Sequence, residues 1–382
     1  MLELDAHRRA LERLDRMIDL DHVAACERAQ ADMWAGQPPE RIPTFISFPA
    51  PPDWPRYPFT QCWDDIEKNF MTQMAGVYCG ALLQDDRLCT ITPEWGVVTI
   101  PELFDVPSII TDQGSSMSAG LHDLETVRAL IDRGMPDIWH HPHIARLDAF
   151  VDFATDVLAG YENLAQVVHM VVPDNQGPFD LAHLIWGAEI FYALHDHPDV
   201  VHDLLALTTE TYIRFTHYYK RRLGEPLDCG YHICGVKLAR GGVRICDDSA
   251  MLCSADVYRE FVRPYNERAY APFGGGWLHY CGNGNHVLDQ MLATPGINAI
   301  HMGNPDHCDL YDLYYRMRAA DAILIWSGSL QRLADLRADG GGAHPTGLMV
   351  LTENRYAAQD LEGARRDLER VRGYQPIPKA PY

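Results

Sequence analysis

Residues 279–283 read His-Tyr-Cys-Gly-Asn, and this short run holds the strongest chemical signal in the chain. Side chains two apart on a strand share a face, so His279 and Cys281 would be presented together while Tyr280 points away. Both are good zinc ligands, with zinc taking Cys sulfur at about 2.3 Å and His nitrogen at about 2.0–2.1 Å. Gly282 would let the chain turn sharply after Cys281. A second copy, His232-Ile-Cys234-Gly235, has no comparable apolar run leading into it and reads as a structural pair. The tract His140-His141-Pro142-His143 reads as solvated surface. Gly274-Gly-Gly276 and Gly340-Gly-Gly342 lack the Lys-Ser/Thr of a phosphate loop and read as loops.

Such a pair needs elements that deliver it to a shared mouth. Short apolar runs rich in β-branched residues recur at Ile42–Phe48, within Leu88–Ile100, and at Val167–Val172, Val243–Cys246, Trp277–Cys281, Ile297–Met302, Ile323–Trp326 and Leu348–Leu351. Helical patterns lie between them at Leu181–Leu194, Pro198–Leu223 and Ala255–Tyr270, with a last one at Tyr356–Val371. Pro198 suits a first helical turn, and Ser254 can cap the helix at Ala255. Eight strands alternating with helices predict a closed parallel (β/α)8 barrel over residues 41–382. Residues 1–40 read as an N-terminal helical extension, with Asp21 capping its second helix. An open doubly wound sheet would want a Gly-rich turn after its first strand, where Pro49-Ala-Pro-Pro-Asp53 stands instead.

Barrel chemistry sits at the carboxyl ends of the strands. Those ends here carry Asp174-Asn175-Gln176, Asp247-Asp248, His279 to Asn283, His301-Met-Gly-Asn304, Ser327 and Thr352-Glu353-Asn354. Together they describe a polar mouth on an apolar barrel.

The composition bounds the class. With 47% hydrophobic and 22% charged residues, disorder and coiled coil are excluded. A formal charge of −21 argues against nucleic-acid or anionic-membrane partners. No apolar run approaches the roughly 18 residues of a membrane helix, and the start lacks a signal-peptide pattern, so a soluble, cytoplasmic protein is expected. The ten cysteines lack the dense spacing of a secreted disulfide scaffold and are expected to be mostly reduced.

From about Arg41 to Val371 the sequence resembles the uroporphyrinogen decarboxylase superfamily and its cobalamin-dependent methyltransferase branch. The likeness is carried by Arg41-Ile-Pro-Thr44, Gly177-Pro-Phe-Asp-Leu-Ala182, Cys246-Asp-Asp-Ser-Ala250, Tyr258-Arg-Glu-Phe-Val-Arg-Pro-Tyr265, Leu278-His-Tyr-Cys-Gly-Asn283 and Thr352-Glu-Asn-Arg355. It implies the (β/α)8 barrel, zinc held by His279 and Cys281, and methyl transfer from a corrinoid on a partner protein to a small thiol or folate acceptor. It also fits a homodimer. Two departures stand out. The arginine-rich segment that holds tetrapyrrole carboxylates is represented by Arg56 alone in residues 48–56, which argues against porphyrin decarboxylation. The third zinc ligand of that branch is a cysteine after the last strand, and none follows Cys308. Glu353 stands nearest that position and is expected as the third ligand, with Cys308, His301 and Asp248 as the other candidates. Asp248 would orient ligand or substrate, and Asn283 would fix the loop. Two alternatives remain: a metal-free lyase acting on a small acid through Asp248, and an inactive binding protein on the same barrel.

Overall fold

Parallel strands form where the β-branched runs lie. They are β1 (Thr44–Phe45), β2 (Thr90–Ile91), β3 (His169–Met170), β4 (Val243–Cys246), β5 (Gly276–Tyr280), β6 (Ile297–Met302), β7 (Ile323–Gly328) and β8 (Leu348–Thr352). Each of the eight expected runs overlaps one of them, although β5 ends at Tyr280 and leaves Cys281 just beyond it. The computed structural model describes residues 4–38, 40–93, 95–111, 115–328, 333, 346–352 and 356–373. Six strands make one parallel sheet in the order β4-β5-β6-β7-β8-β1, and β2 pairs with β3 in a separate parallel pair.

No strand ladder joins β1 to β2, or β3 to β4, among the described residues. Other bonds cross both seams. The Asp86 backbone N–H donates to the Thr44 carbonyl at 3.1 Å, while the carboxylates of Asp86 and Asp85 accept the N–H groups of Thr44 and Ile46 at 3.0 and 2.9 Å. At the second seam the Gly177 N–H donates to the Cys246 carbonyl at 2.8 Å.

Strand alternation sorts the side chains into two cores. On one face Phe45, Trp277, Ala299, Ile323, Ile325 and Met349 cluster with Met33 and Trp34 of the helix Leu20–Trp34. On the other, Leu278, Tyr280, Ile300, Leu324, Trp326 and Val350 join the larger core beneath the helices. The N-terminal helices therefore pack into both cores: Leu11 and Leu14 belong to the larger, Met33 and Trp34 to the smaller.

The helix Pro198–Leu223 has the expected bounds, with proline in its first turn. Ser254 caps Ala255 as expected, accepting the Val257 N–H. The run from Ala255 to Tyr270 passes through a π-helical turn at Tyr258–Val262. Pro264 is the cause, since its ring lacks an N–H and crowds the carbonyl four residues back. Two expectations are corrected. Asp19, not Asp21, caps the second helix, accepting the His22 N–H at 3.0 Å. The histidine tract is only partly solvated: His141 caps the helix Pro142–Leu158, and His143 is buried against Glu102.

Asp86 ties the first seam to the last helix, because the same buried carboxylate pairs with Arg41 and with Arg372 of Leu361–Arg372. Removing one member of a buried ion-pair network leaves the others uncompensated, at about 3–5 kcal/mol. Asp86→Ala is expected to lower the urea-unfolding free energy by about that much, with Asp86→Asn costing less because an amide oxygen still accepts the Thr44 N–H.

Candidate metal centre

The parallel register sets the centre. Cys246 on β4 lies beside His279 on β5, and His279 beside His301 on β6. All three point to the same face. The ligand atoms of Cys246, Asp248 and His279 lie within 4.8 Å of one another, so these residues could hold a metal ion. Around His279 Nε2, the Cys281 Sγ stands at 3.5 Å and the Asp248 Oδ1 at 3.8 Å.

These spacings fit zinc. A tetrahedron built from about 2.05 Å to nitrogen and 2.3 Å to sulfur has a nitrogen–sulfur edge of about 3.5 Å. The same construction gives about 3.3 Å for a nitrogen–oxygen edge, so Asp248 needs a small side-chain shift. Its carboxylate is partly exposed and able to make one.

Backbone N–H groups fix the loop residues. Asp180, in the helix Pro178–Trp186, accepts the N–H groups of Asp248 and Ser249 at 2.8 and 2.9 Å. Asp248 in turn accepts the Cys281 N–H at 2.6 Å, and the Asn304 side chain accepts the Gly282 N–H at 2.6 Å. Gly282 has φ 95°, the turn expected after Cys281. Gly303 is required for room, because a Cβ there would stand 2.8 Å from Cys281 Sγ and 3.1 Å from His279 Cε1. Asn283 accepts the Asn285 N–H within the loop, and Asn304 ties the same loop to the end of β6.

The proton inventory favours a ligand. Burial first, and then the Arg244 charge, push His279 down to about 2 and His301 to about 3, so both rings are neutral. Their Nδ1 atoms are 2.9 Å apart and share a single proton. His301 Nε2 is 2.9 Å from the Ser327 hydroxyl. In the tautomer where His301 donates to Ser327, His279 donates from Nδ1 and its Nε2 lone pair faces Cys281 and Asp248, and that is the tautomer a bound cation selects. His301 is thus placed to orient the His279 ring. Burial, followed by Asp248, pushes the Cys281 thiol up to about 11, so a nearby cation would be needed to ionise it.

The other candidates fall apart from this group. Glu353 lies outside the described residues. Cys308 packs against the larger core beside Tyr280, which faces the helices. Asp247 and Asp248, just past the end of β4, have different surroundings: Asp247 is buried and accepts from Tyr258 and Asn266, while Asp248 is partly exposed. Cys246 was missed because nothing in its own segment tells which residue of β5 lies opposite. Compared with known proteins, the chain matches no family model, and a search of curated proteins found no match.

Ser327→Ala removes the outer partner of the paired imidazoles. Zinc affinity is expected to fall about 10-fold, and about 10- to 100-fold in His301→Ala, as for other partners of ligating histidines. Titration against a competing chelator checks this, with thermal melting to show that both variants stay folded.

Proposed function

We propose that this chain is a zinc-dependent methyltransferase of the uroporphyrinogen decarboxylase superfamily, built on a closed (β/α)8 barrel. It would move a methyl group from a corrinoid on a partner protein to a small thiol. The observation that carries the reading is the 3.5 Å spacing of His279 Nε2 and Cys281 Sγ at the end of β5, the edge length of a tetrahedral zinc site. The hydrogen bonds crossing both seams of the sheet support the closed barrel, since they continue its circuit where ladders are missing.

His279, Cys281 and Asp248 would hold the metal, leaving a fourth position open toward the mouth. When bound, zinc supplies the Lewis acidity that keeps an acceptor thiol as its thiolate. With His301 accepting the hydrogen bond from Nδ1, His279 would present its Nε2 lone pair to the metal. Asp248 keeps the Cys281 backbone in place, and Asp180 holds Asp248. Cys246 lies beneath them, with its thiol pushed well up by burial and so kept protonated in the free protein. A metal-free lyase would need a shielded acid at the mouth. Asp248 is nearly half exposed there, and its shielded neighbour Asp247 is turned toward the helices.

Protein purified without added zinc is expected to carry about one zinc per chain by elemental analysis. Cys281→Ser should lose it, and loss in Cys246→Ser with retention in Cys281→Ser would put Cys246 in its place as the sulfur ligand. Demethylation of methylcobalamin with a simple thiol, followed by the change in cobalt absorbance, should be abolished with the metal. Turnover with a folate but not with a thiol would change the acceptor. Metal-free protein showing full activity would sink the zinc reading.

A further inference from the structure

The seam between β3 and β4 encloses a small polar space. No ladder joins the two strands among the described residues, and a cavity of about 30 Å³ lies between them. Its walls include Asp174 and Asn175 past the end of β3, Arg244 of β4, Tyr212 and Thr216 of the helix Pro198–Leu223, and His232. His232 ends the strand Gly230–His232, which pairs with Val236–Leu238 in an antiparallel hairpin.

Most polar groups of these walls are already paired. The Cys234 N–H donates to His232 Nδ1 at 3.3 Å, and His232 Nε2 lies 3.2 Å from the Asp174 carboxylate. Arg244 Nη1 donates to both oxygens of that carboxylate at 2.7 Å. The Tyr212 hydroxyl donates to the Arg244 carbonyl at 2.9 Å. Three atoms remain: Arg244 Nε, Asn175 Oδ1 and Thr216 Oγ1 are each buried without a hydrogen-bond partner in the chain. A buried polar atom left unpaired is costly, and native interiors seldom keep one. Three such atoms on residues lining one small space call for one shared partner.

We infer that this seam cavity is a binding site for a single water molecule, which bridges Arg244 Nε, Asn175 Oδ1 and Thr216 Oγ1. The volume suits it, since a water occupies about 30 Å³ in the liquid and an oxyanion or organic ligand is larger. The charges of the walls select a neutral guest. A metal ion would face the Arg244 guanidinium, and a halide would face the Asp174 carboxylate. The donor pattern selects water in the same way. Nε–H only donates, an amide oxygen only accepts, and a hydroxyl does either. Water accepts from Arg244, donates to Asn175 and spends a third bond on Thr216, the usual number for a buried water.

The bridge ties together three elements that share no ladder at this point: the chain after β3, strand β4 and the helix Pro198–Leu223. With the Gly177 N–H on the Cys246 carbonyl, it carries the circuit across the seam. It also holds the Arg244 guanidinium at a second point besides Asp174. Arg244 stands two residues before Cys246 on the same strand face, so its charge is fixed beneath the metal centre.

Two measurements on the full chain test the assignment. A high-resolution crystal structure should show one density peak in the seam, about 2.7–3.2 Å from the three atoms. Hydrogen exchange followed by mass spectrometry should then report the bridge. Thr216→Val keeps the side-chain shape and removes the hydroxyl. Exchange should become about 10-fold faster in peptides covering residues 171–177 and 242–246, and stay unchanged in those of β6 and β7. If circular dichroism shows that Thr216→Val does not fold, Asn175→Leu replaces it with the same expectation. No peak, a peak in reach of fewer than two of the three atoms, or anomalous scattering that marks a halide would overturn the proposal. Unchanged exchange in a folded variant would overturn it as well. Neither readout depends on bound metal, so failure here leaves the zinc reading standing.

Discussion

The parallel register of β4, β5 and β6 is the constraint on which the rest of the centre depends. Residues opposite one another on parallel strands point the same way, so Cys246, His279 and His301 form one row across the sheet. That row brings the two imidazoles to 2.9 Å, and neutral rings at this distance hold one proton between them. A slip of one residue would turn every member of the row toward the helices and bring Leu278 and Tyr280 to the face it had occupied. Strand pairing thus decides which donors meet.

Strands alone do not place the thiol. Cys281 lies just past the end of β5, and its backbone is held by a carboxylate that is itself held: Asp180 accepts from the Asp248 loop, and Asp248 accepts from Cys281. Collecting acids has a cost. Burial, with Asp247 and Asp248 close by, pushes Asp180 well above the ordinary carboxylate range. The backbone bonds it accepts partly offset that cost, and a network satisfied in this way is stiff. Stiffness suits a site whose donors must keep their spacing to a few tenths of an ångström.

The two His-x-Cys-Gly runs show that surroundings, rather than the motif, set the chemistry of a thiol. Cys281 stands beside a carboxylate and shares a face with neutral imidazoles, which keeps the free thiol protonated. Cys234 stands beside an imidazole that Asp174 orients and within reach of the Arg244 charge. The same four-residue pattern therefore carries one thiol pushed up and one pushed down from its ordinary value.

The sequence by itself determined the elements. Apolar β-branched runs marked every parallel strand, and Pro198 and Ser254 marked two helix starts, because period, propensity and capping act within a few residues. It also singled out His279 and Cys281, whose side chains meet although Cys281 lies one residue past the end of β5. Only the tertiary structure decided what stood around them. Cys246, His301 and Ser327 entered through strand pairing, and Asp180 and Asn304 through loop contacts between residues 22 to 68 positions apart. The surroundings of His232 were equally out of reach of the sequence, because Asp174 and Arg244 come from other parts of the chain. Local physics writes elements into a sequence, whereas the register between distant strands is settled only when their shared core closes.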